Sequence, residues 1–144
     1  MDRASLVTVL WRAEGAPNAG SGTAFTDLTQ GWYLEAVSWA REHGIVEGVS
    51  LTQFAPDAPL TREQMVTILY RYAAHRGSSV GSRADLRRFI DGGSVSGFAS
   101  GPMAWAVAEG LLFGRDGGRL DPQGKATRAE IAAVFARFAA QIGI

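Results

Sequence analysis

The sequence predicts an all-α fold built from helix–loop–helix repeats. Three observations support this prediction: two long segments match when shifted by 66 residues, each carries apolar stripes at helical spacing, and each starts its second stripe with Thr-Arg. The 144 residues fit one domain of ordinary size, and 47% hydrophobic residues supply enough apolar material for a core.

The repeat divides the chain into two full copies and one half copy. The half copy spans 1–15, and the full copies span 25–77 and 89–143. Linkers rich in small residues lie at 15–24 and 77–88, and the second is predicted to hold a short helical turn. The matched pairs are Trp39/Trp105, Gly44/Gly110, Gly48/Gly114, Pro56/Pro122, Thr61/Thr127 and Arg62/Arg128. We predict a single domain over 1–144.

Each full copy predicts a first helix, a loop and a second helix. The first helices span 32–43 and 102–109, and each ends at a glycine that is free to adopt a left-handed conformation. The second helices place apolar residues at i, i+3, i+4 and i+7, which is a buried face. These residues are Met65, Ile68, Leu69 and Tyr72 in one copy and Ile131, Val134, Phe135 and Phe138 in the other. The half copy predicts a helix at 3–14.

The second helices begin with capping boxes. Thr61 with Gln64, and Thr127 with Glu130, have the spacing at which a threonine caps the helix and the third residue caps the threonine N–H. Asp2 is the N-cap of the half copy. A structural role is sufficient to explain these residues.

The arginine after each cap has no such explanation. Arg3, Arg62 and Arg128 sit at the positive end of a helix dipole, where a cation is unfavourable. A guanidinium beside free backbone N–H groups suits a carboxylate ligand. The alternative of equal weight is a structural pair with an acid of a neighbouring repeat, such as Asp27 or Asp91.

Composition excludes several classes of function. Fourteen basic residues balance fourteen acidic ones, which disfavours a nucleic-acid or membrane-surface binder, and the absence of Cys excludes disulfides and thiolate metal sites. No segment is apolar for long enough to span a membrane. No phosphate loop, nucleophile elbow or paired-His motif occurs. The sequence therefore predicts no enzyme activity, no metal and no cofactor.

The order Phe-x-Asp, Ala-Val-x-Trp-Ala, Gly-Ile-Val-x-Gly, Phe-x-Pro, Thr-Arg-Glu-Gln resembles the S-layer homology (SLH) motif. It runs from Phe25 to Gln64, and the later copy matches from Phe89 to Glu130. The resemblance covers nearly the whole chain. It implies an all-helical, pseudo-threefold spindle with an incomplete first repeat. It also implies attachment to secondary cell-wall polysaccharides, often ones with a pyruvate ketal, in grooves between repeats.

The resemblance implies a set of ligand-binding residues, because a pyruvate ketal presents a carboxylate on a sugar. They are Arg62, Arg128, Arg3, Gly48, Gly114, Phe54 and Trp32. Leu120 and Phe98 depart from the motif in the later copy, where the earlier one has Phe54 and Trp32. The implied function is non-catalytic anchoring to the bacterial cell surface. The alternative is a helical repeat for protein–protein assembly.

Two further expectations concern context. Met1-Asp2-Arg3 does not start a signal peptide, so a cell-wall location is expected for a part of a secreted protein, with the cytoplasm as the alternative. The first helix of the half copy is missing, so an apolar face around Trp11 should be exposed. We expect a homodimer through that face, or a monomer in which linker residues 16–24 or 78–88 cover it.

Overall fold

The computed structural model describes residues 1–19 and 24–144, and these ranges are helical with no strand. The α-helices are α1 (Arg3–Ala13), α2 (Gly31–Glu42), α3 (Arg62–His75), α4 (Ser100–Ala108) and α5 (Arg128–Ile142). Three 3-10 turns lie at Leu86–Arg88, Gly92–Ser94 and Gly97–Ala99. The all-α prediction is confirmed, and so is the helical turn in the second linker. The first linker lies partly outside the described residues.

The predicted helix ends are also confirmed. Thr61 and Thr127 are N-caps, and both capping boxes are complete. Asp2 caps α1 by accepting from the Ser5 N–H at 2.8 Å. Gly44 and Gly110 follow the first helices with a φ of +70° each, a conformation that a side chain would strain.

The chain divides into two compact units, Met1–Pro59 and Leu60–Ile144. The boundary falls inside the full copy 25–77, because α1 packs on α2 within the first unit and α3 packs on α4 within the second. A structural unit thus joins the second helix of one copy to the first half of the next. The single domain over 1–144 and the threefold arrangement stay predictions.

Each unit has an apolar core. In unit 1 the α1 residues Leu6 and Leu10 are buried against α2, together with Trp39, which is 3% exposed. In unit 2 the predicted face of α3 is buried, and Tyr72 meets Phe138 of α5 with ring centres 6.1 Å apart. Other large buried side chains of unit 2 include Met103, Trp105, Leu111, Leu120 and Ile131.

Candidate functional site

A buried arginine at the start of α1 holds the loop that follows α2. The Arg3 guanidinium donates from Nε to the Phe54 carbonyl oxygen at 2.9 Å and from Nη2 to the Glu47 carbonyl oxygen at 3.0 Å. Its Cζ also lies 4.6 Å from the centre of the Phe54 ring. Burial lowers the pKa of Arg3, and the charge of Asp27 partly offsets this. We call this arrangement the arginine clamp.

Unit 2 repeats the clamp with Arg62 and a second loop, whose bonded carbonyl groups lie 66 residues after those of the first. Arg62 donates from Nε to the Leu120 carbonyl oxygen and from Nη2 to the Phe113 carbonyl oxygen, both at 2.7 Å. It also pairs through Nη1 with Glu130. Arg62 thus forms a structural ion pair, which the sequence allowed as the alternative to binding a ligand. Its acidic partner is Glu130 rather than Asp91.

The same loops satisfy the first backbone N–H groups of α1 and α3. A helix N-terminus leaves such donors without intrahelical acceptors. The bonds are Arg3 N to Ala58 O (3.1 Å), Ala4 N to Pro56 O (3.0 Å), Arg62 N to Gly124 O (2.9 Å) and Glu63 N to Pro122 O (2.9 Å). Backbone and guanidinium thus fix each loop on one helix end.

The recurring aspartates brace a strained residue in each loop. Asp27 accepts from the Phe54 and Ala55 N–H groups at 2.9 and 2.8 Å, and Asp91 accepts from the equivalent groups at 2.7 and 2.8 Å. Ala55 and Asp121 have φ values of +60° and +50°, which cost free energy in a non-glycine residue. Burial raises the pKa of each bracing carboxyl, but these N–H groups lower it below its usual value.

Glu130 is the centre of an ion-pair network in unit 2. It accepts from Arg62 and Arg115, and Arg115 also pairs with Asp121. Burial alone would raise the pKa of Glu130, but hydrogen bonds from Arg115 and Thr127 N, with the charge of Arg62, lower it to about 2. The Glu130 carboxylate therefore contacts the clamp through Arg62, the loop through Arg115 and the N-cap of α5 through the Thr127 N–H.

Gly48 and Gly114 are packed under aromatic rings. A Cβ on Gly48 would lie 2.3 Å from the Ser50 carbonyl oxygen and 2.5 Å from Phe25 Cε1. A Cβ on Gly114 would lie 3.0 Å from Phe89 Cε1. The phenylalanine ring in each copy leaves no room for a side chain, which explains why both copies have a glycine there. The approach of a sugar to the glycine backbone stays a prediction.

The structure separates the predicted site residues into two groups. Arg3, Arg62 and Phe54 are 6%, 2% and 0% exposed, so they touch a ligand only after their loops move. Trp32 is half exposed and stands edge-to-face with Tyr33. Arg128 is exposed, and within residues 1–19 and 24–144 its side chain has no hydrogen-bond or ion-pair partner.

Residue reasoning missed the polar cleft beside Gly114. The cleft has a volume of about 390 Å³ and is lined by Arg115, Asp116, Arg119 and Asp121. Repeat comparison could not find it, because Arg115 and Arg119 fall on Val49 and Gln53 in the earlier copy. The sequence feature that could have indicated this cleft is the pair Arg115 and Arg119, four residues apart around a Gly-Gly turn. Arg119 is exposed and can present its guanidinium to an anion.

The described residues offer neither a metal site nor a membrane-spanning helix. Among the described residues, no three or more His, Cys, Asp or Glu side chains are grouped as metal ligands. No helix in the described ranges has the length and apolar character needed to cross a bilayer. The surfaces around Trp32 in unit 1 and around Gly114 and Arg128 in unit 2 are the candidates that include residues of the predicted set.

Comparison with known sequences gives a consistent family. The profile of the S-layer homology domain matches residues 24–66 and 88–132. The surface-layer 125 kDa protein of Lysinibacillus sphaericus is 36% identical over 109 residues, which cover 74% of this chain and 9% of that protein. An endoglucanase of Bacillus sp. (strain KSM-635) is 29% identical over 92% of this chain and 14% of the enzyme. The exoglucanase XynX of Acetivibrio thermocellus is 32% identical over 77% and 10%.

Comparison with solved structures supports the fold. An undecaheme cytochrome from the S-layer of Carboxydothermus ferrireducens aligns with a TM-score of 0.52 and 22% identity, over 94% of this chain and 20% of that one. The chain thus spans a small part of each protein it resembles. The two matched ranges overlap the two full copies, and together they hold Arg62, both clamped loops, the bracing aspartates and the packed glycines, whereas Arg3 lies before them. The chain therefore belongs to the S-layer homology domain family, the family of cell-surface anchoring modules.

Proposed function

We propose that the chain anchors a protein to the bacterial cell surface by binding a wall polysaccharide, without catalysing a reaction. The observation that carries this proposal is the family match over both full copies. The relatives are a surface-layer protein and glucan-degrading enzymes, each matched over a small share of its length. A module common to proteins of such different activities supplies attachment rather than chemistry.

We further propose that the polysaccharide carries acidic sugars, such as pyruvate ketals. Arg119 and Arg128 support this proposal, because both are exposed in unit 2. A planar guanidinium binds a carboxylate through two parallel hydrogen bonds, which a lysine cannot reproduce. Asp116, in the same cleft as Arg119, can accept from sugar hydroxyls.

The buried members of the predicted set have an indirect role in this proposal. Arg3, Arg62 and Phe54 fix the loops, and Gly48 and Gly114 let those loops close under Phe25 and Phe89. They position the surface that meets the polymer. In unit 1, the exposed indole of Trp32 offers a face on which a sugar ring can stack.

Co-sedimentation with purified wall polysaccharide tests both proposals. We expect the chain to sediment with the native polymer and to lose most of its affinity when the pyruvate ketals are removed. Arg119→Ala and Arg128→Ala should each weaken binding by at least about tenfold, the effect of one charge-assisted hydrogen bond. Arg41→Ala, which removes an exposed arginine of unit 1, is the matched control. Equal affinity for both polymers would exclude the acidic sugar, and no sedimentation would exclude anchoring by this route.

The second candidate function is assembly with a second copy. Unit 1 leaves several large apolar side chains exposed, which is typical of an interaction surface. They are Met1 (45%), Trp32 (50%), Leu34 (45%), Val49 (60%) and Leu51 (87%). A homodimer through the face around Trp11 leaves the proposed arginine contacts of unit 2 in place, whereas one that buried Trp32 would remove the proposed stacking face.

A further inference from the structure

We propose that unit 2 carries a second ligand site, for a protonated amino sugar, where α3, α4 and α5 end. A cleft of about 520 Å³ lies there, within the usual size range of about 300–1,000 Å³ for small-ligand sites. It shares no lining residue with the cleft beside Gly114. This inference rests on the proposed polysaccharide function and names a further sugar chemistry for the module.

An unsatisfied donor lies in the wall of this cleft. Trp105 lines it and is 2% exposed, yet its indole Nε1 has no hydrogen-bond partner among the described residues. Tyr70 and Phe138 stand edge-to-face with the indole, with ring centres 5.5 and 6.3 Å away, and hold it in place. Buried polar groups in native proteins are rarely left unpaired. The Nε1 atom is covered in this structure, so a hydroxyl or ring oxygen of a bound sugar accepts this hydrogen bond only when the side chains over it turn aside.

The other polar groups of the cleft are mainly acceptors. The Gln141 Nε2 donates to the Glu109 carbonyl oxygen at 2.8 Å, which leaves the Gln141 Oε1 as an acceptor at the rim. Ser78 and Ser79, just after α3, also line the cleft. A sugar ring with several hydroxyl groups matches this arrangement of acceptors and hydroxyls.

The charge of the cleft selects an ammonium group. Glu109 lines it, and within residues 1–19 and 24–144 its carboxylate has no ion-pair or hydrogen-bond partner. Three helices end at the cleft, and a helix C-terminus carries partial negative charge that favours cations. A single carboxylate is too few ligands for a metal ion, and the described residues hold no acidic or histidine cluster. An amino sugar supplies one positive charge and the hydroxyls together.

Nuclear magnetic resonance of the full ¹⁵N-labelled chain tests the site, with glucosamine as the probe in mildly acidic buffer. We expect saturable shifts of the Trp105 indole N–H and the Gln141 side-chain amide. N-acetylglucosamine, the neutral match, should bind at least about tenfold more weakly, because it lacks the charge that Glu109 meets. Glu109→Gln should lose a similar factor for glucosamine. Glu35→Gln, at an exposed carboxylate of unit 1, should leave the affinity unchanged.

Equal affinity for the two sugars, or unchanged glucosamine binding by Glu109→Gln, would overturn the inference. Glucosamine shifts confined to residues 115–121 would also overturn it, since they would place the sugar in the other cleft. A different result would contradict the proposed anchoring function. If the chain does not sediment with wall polysaccharide but glucosamine still shifts the Trp105 signal, the site stands without that function. If the chain sediments and glucosamine shifts neither signal, only the second site is lost.

Discussion

Arg62 and Arg128 occupy the same motif position but lie in different surroundings. Arg62 is 2% exposed and bonds two carbonyl oxygens and Glu130. Arg128 is exposed at the start of α5. A buried guanidinium is stabilising only while its partners stay in place, because removing one member leaves polar groups buried without a bond. One residue type at one motif position is thus buried among hydrogen-bond partners in one copy and exposed in the other.

Arg62→Ala should therefore be far more destabilising than Arg128→Ala. The first change leaves the Leu120 and Phe113 carbonyl oxygens without their donor, and we expect it to cost about 3–5 kcal/mol. The second removes an exposed side chain and should leave the urea midpoint nearly unchanged. Urea unfolding of both variants measures the difference. Similar destabilisation by the two changes would contradict the clamp.

Glu130 should make stability depend on pH. Its folded-state pKa of about 2 lies below the usual value of 4.5, so the ionised carboxylate stabilises the fold above about pH 4.5 and this contribution is lost as pH falls towards 2. Glu130→Gln keeps an oxygen for the Thr127 N–H, as Gln64 does for Thr61. We expect the variant to lose about 2–3 kcal/mol at neutral pH. Urea unfolding at several pH values should show this deficit shrinking in acid; a constant deficit would exclude the carboxylate as its source.

At the scale of elements, the loop after each first helix is the most constrained segment. It must bring two carbonyl oxygens to a clamp, two more to a helix N-terminus, and one residue into a left-handed conformation. Hydrogen bonds from a helix end and a bracing aspartate balance the strain of that residue. The aromatic ring over the glycine then fills the space that a side chain at the glycine would need.

Gly48→Ala should test this packing directly. Its Cβ would meet two carbonyl oxygens and the Phe25 ring at 2.5 Å or less, so we expect a loss of about 1–3 kcal/mol. Gly114→Ala should cost less, because its nearest contacts are at 3.0 and 3.3 Å. Gly31→Ala, at an open position that begins α2, should be neutral or stabilising. Thermal melts of the three variants would rank them, and a Gly48→Ala melt like that of Gly31→Ala would contradict the close packing.

For the whole molecule, compact units cross the repeat boundaries. The second helix of a copy docks the loop of the next copy, so α1 belongs with α2, and α3 with α4. This docking buries the apolar residues Leu6, Val7 and Leu10 of α1. Trp11 is half-buried and donates from Nε1 to the Pro17 carbonyl oxygen at 2.8 Å, so linker residues reach the face expected to be exposed.

Sedimentation at micromolar concentration should decide between the proposed homodimer and the monomer with a covered face. A dimer through this face should dissociate when Trp11→Ala removes its aromatic contact. Leu51→Ala is the companion variant, because Leu51 is 87% exposed in the same unit. A species of 15.3 kDa that both changes leave unaltered would exclude the dimer and favour the linker as the cover.

The sequence by itself determined the helices, their caps and the repeat. Apolar spacing, Thr-x-x-Gln/Glu boxes and terminal glycines act within a few residues, so α1, α2, α3 and α5 begin and end where their local patterns predict. Only the tertiary structure decided the partners of the arginines, because Arg62 reaches residues 51 to 68 positions away in the chain. It also decided that Gly48 lies under Phe25. Loop closure sets those distances, and no local pattern of residue types records them.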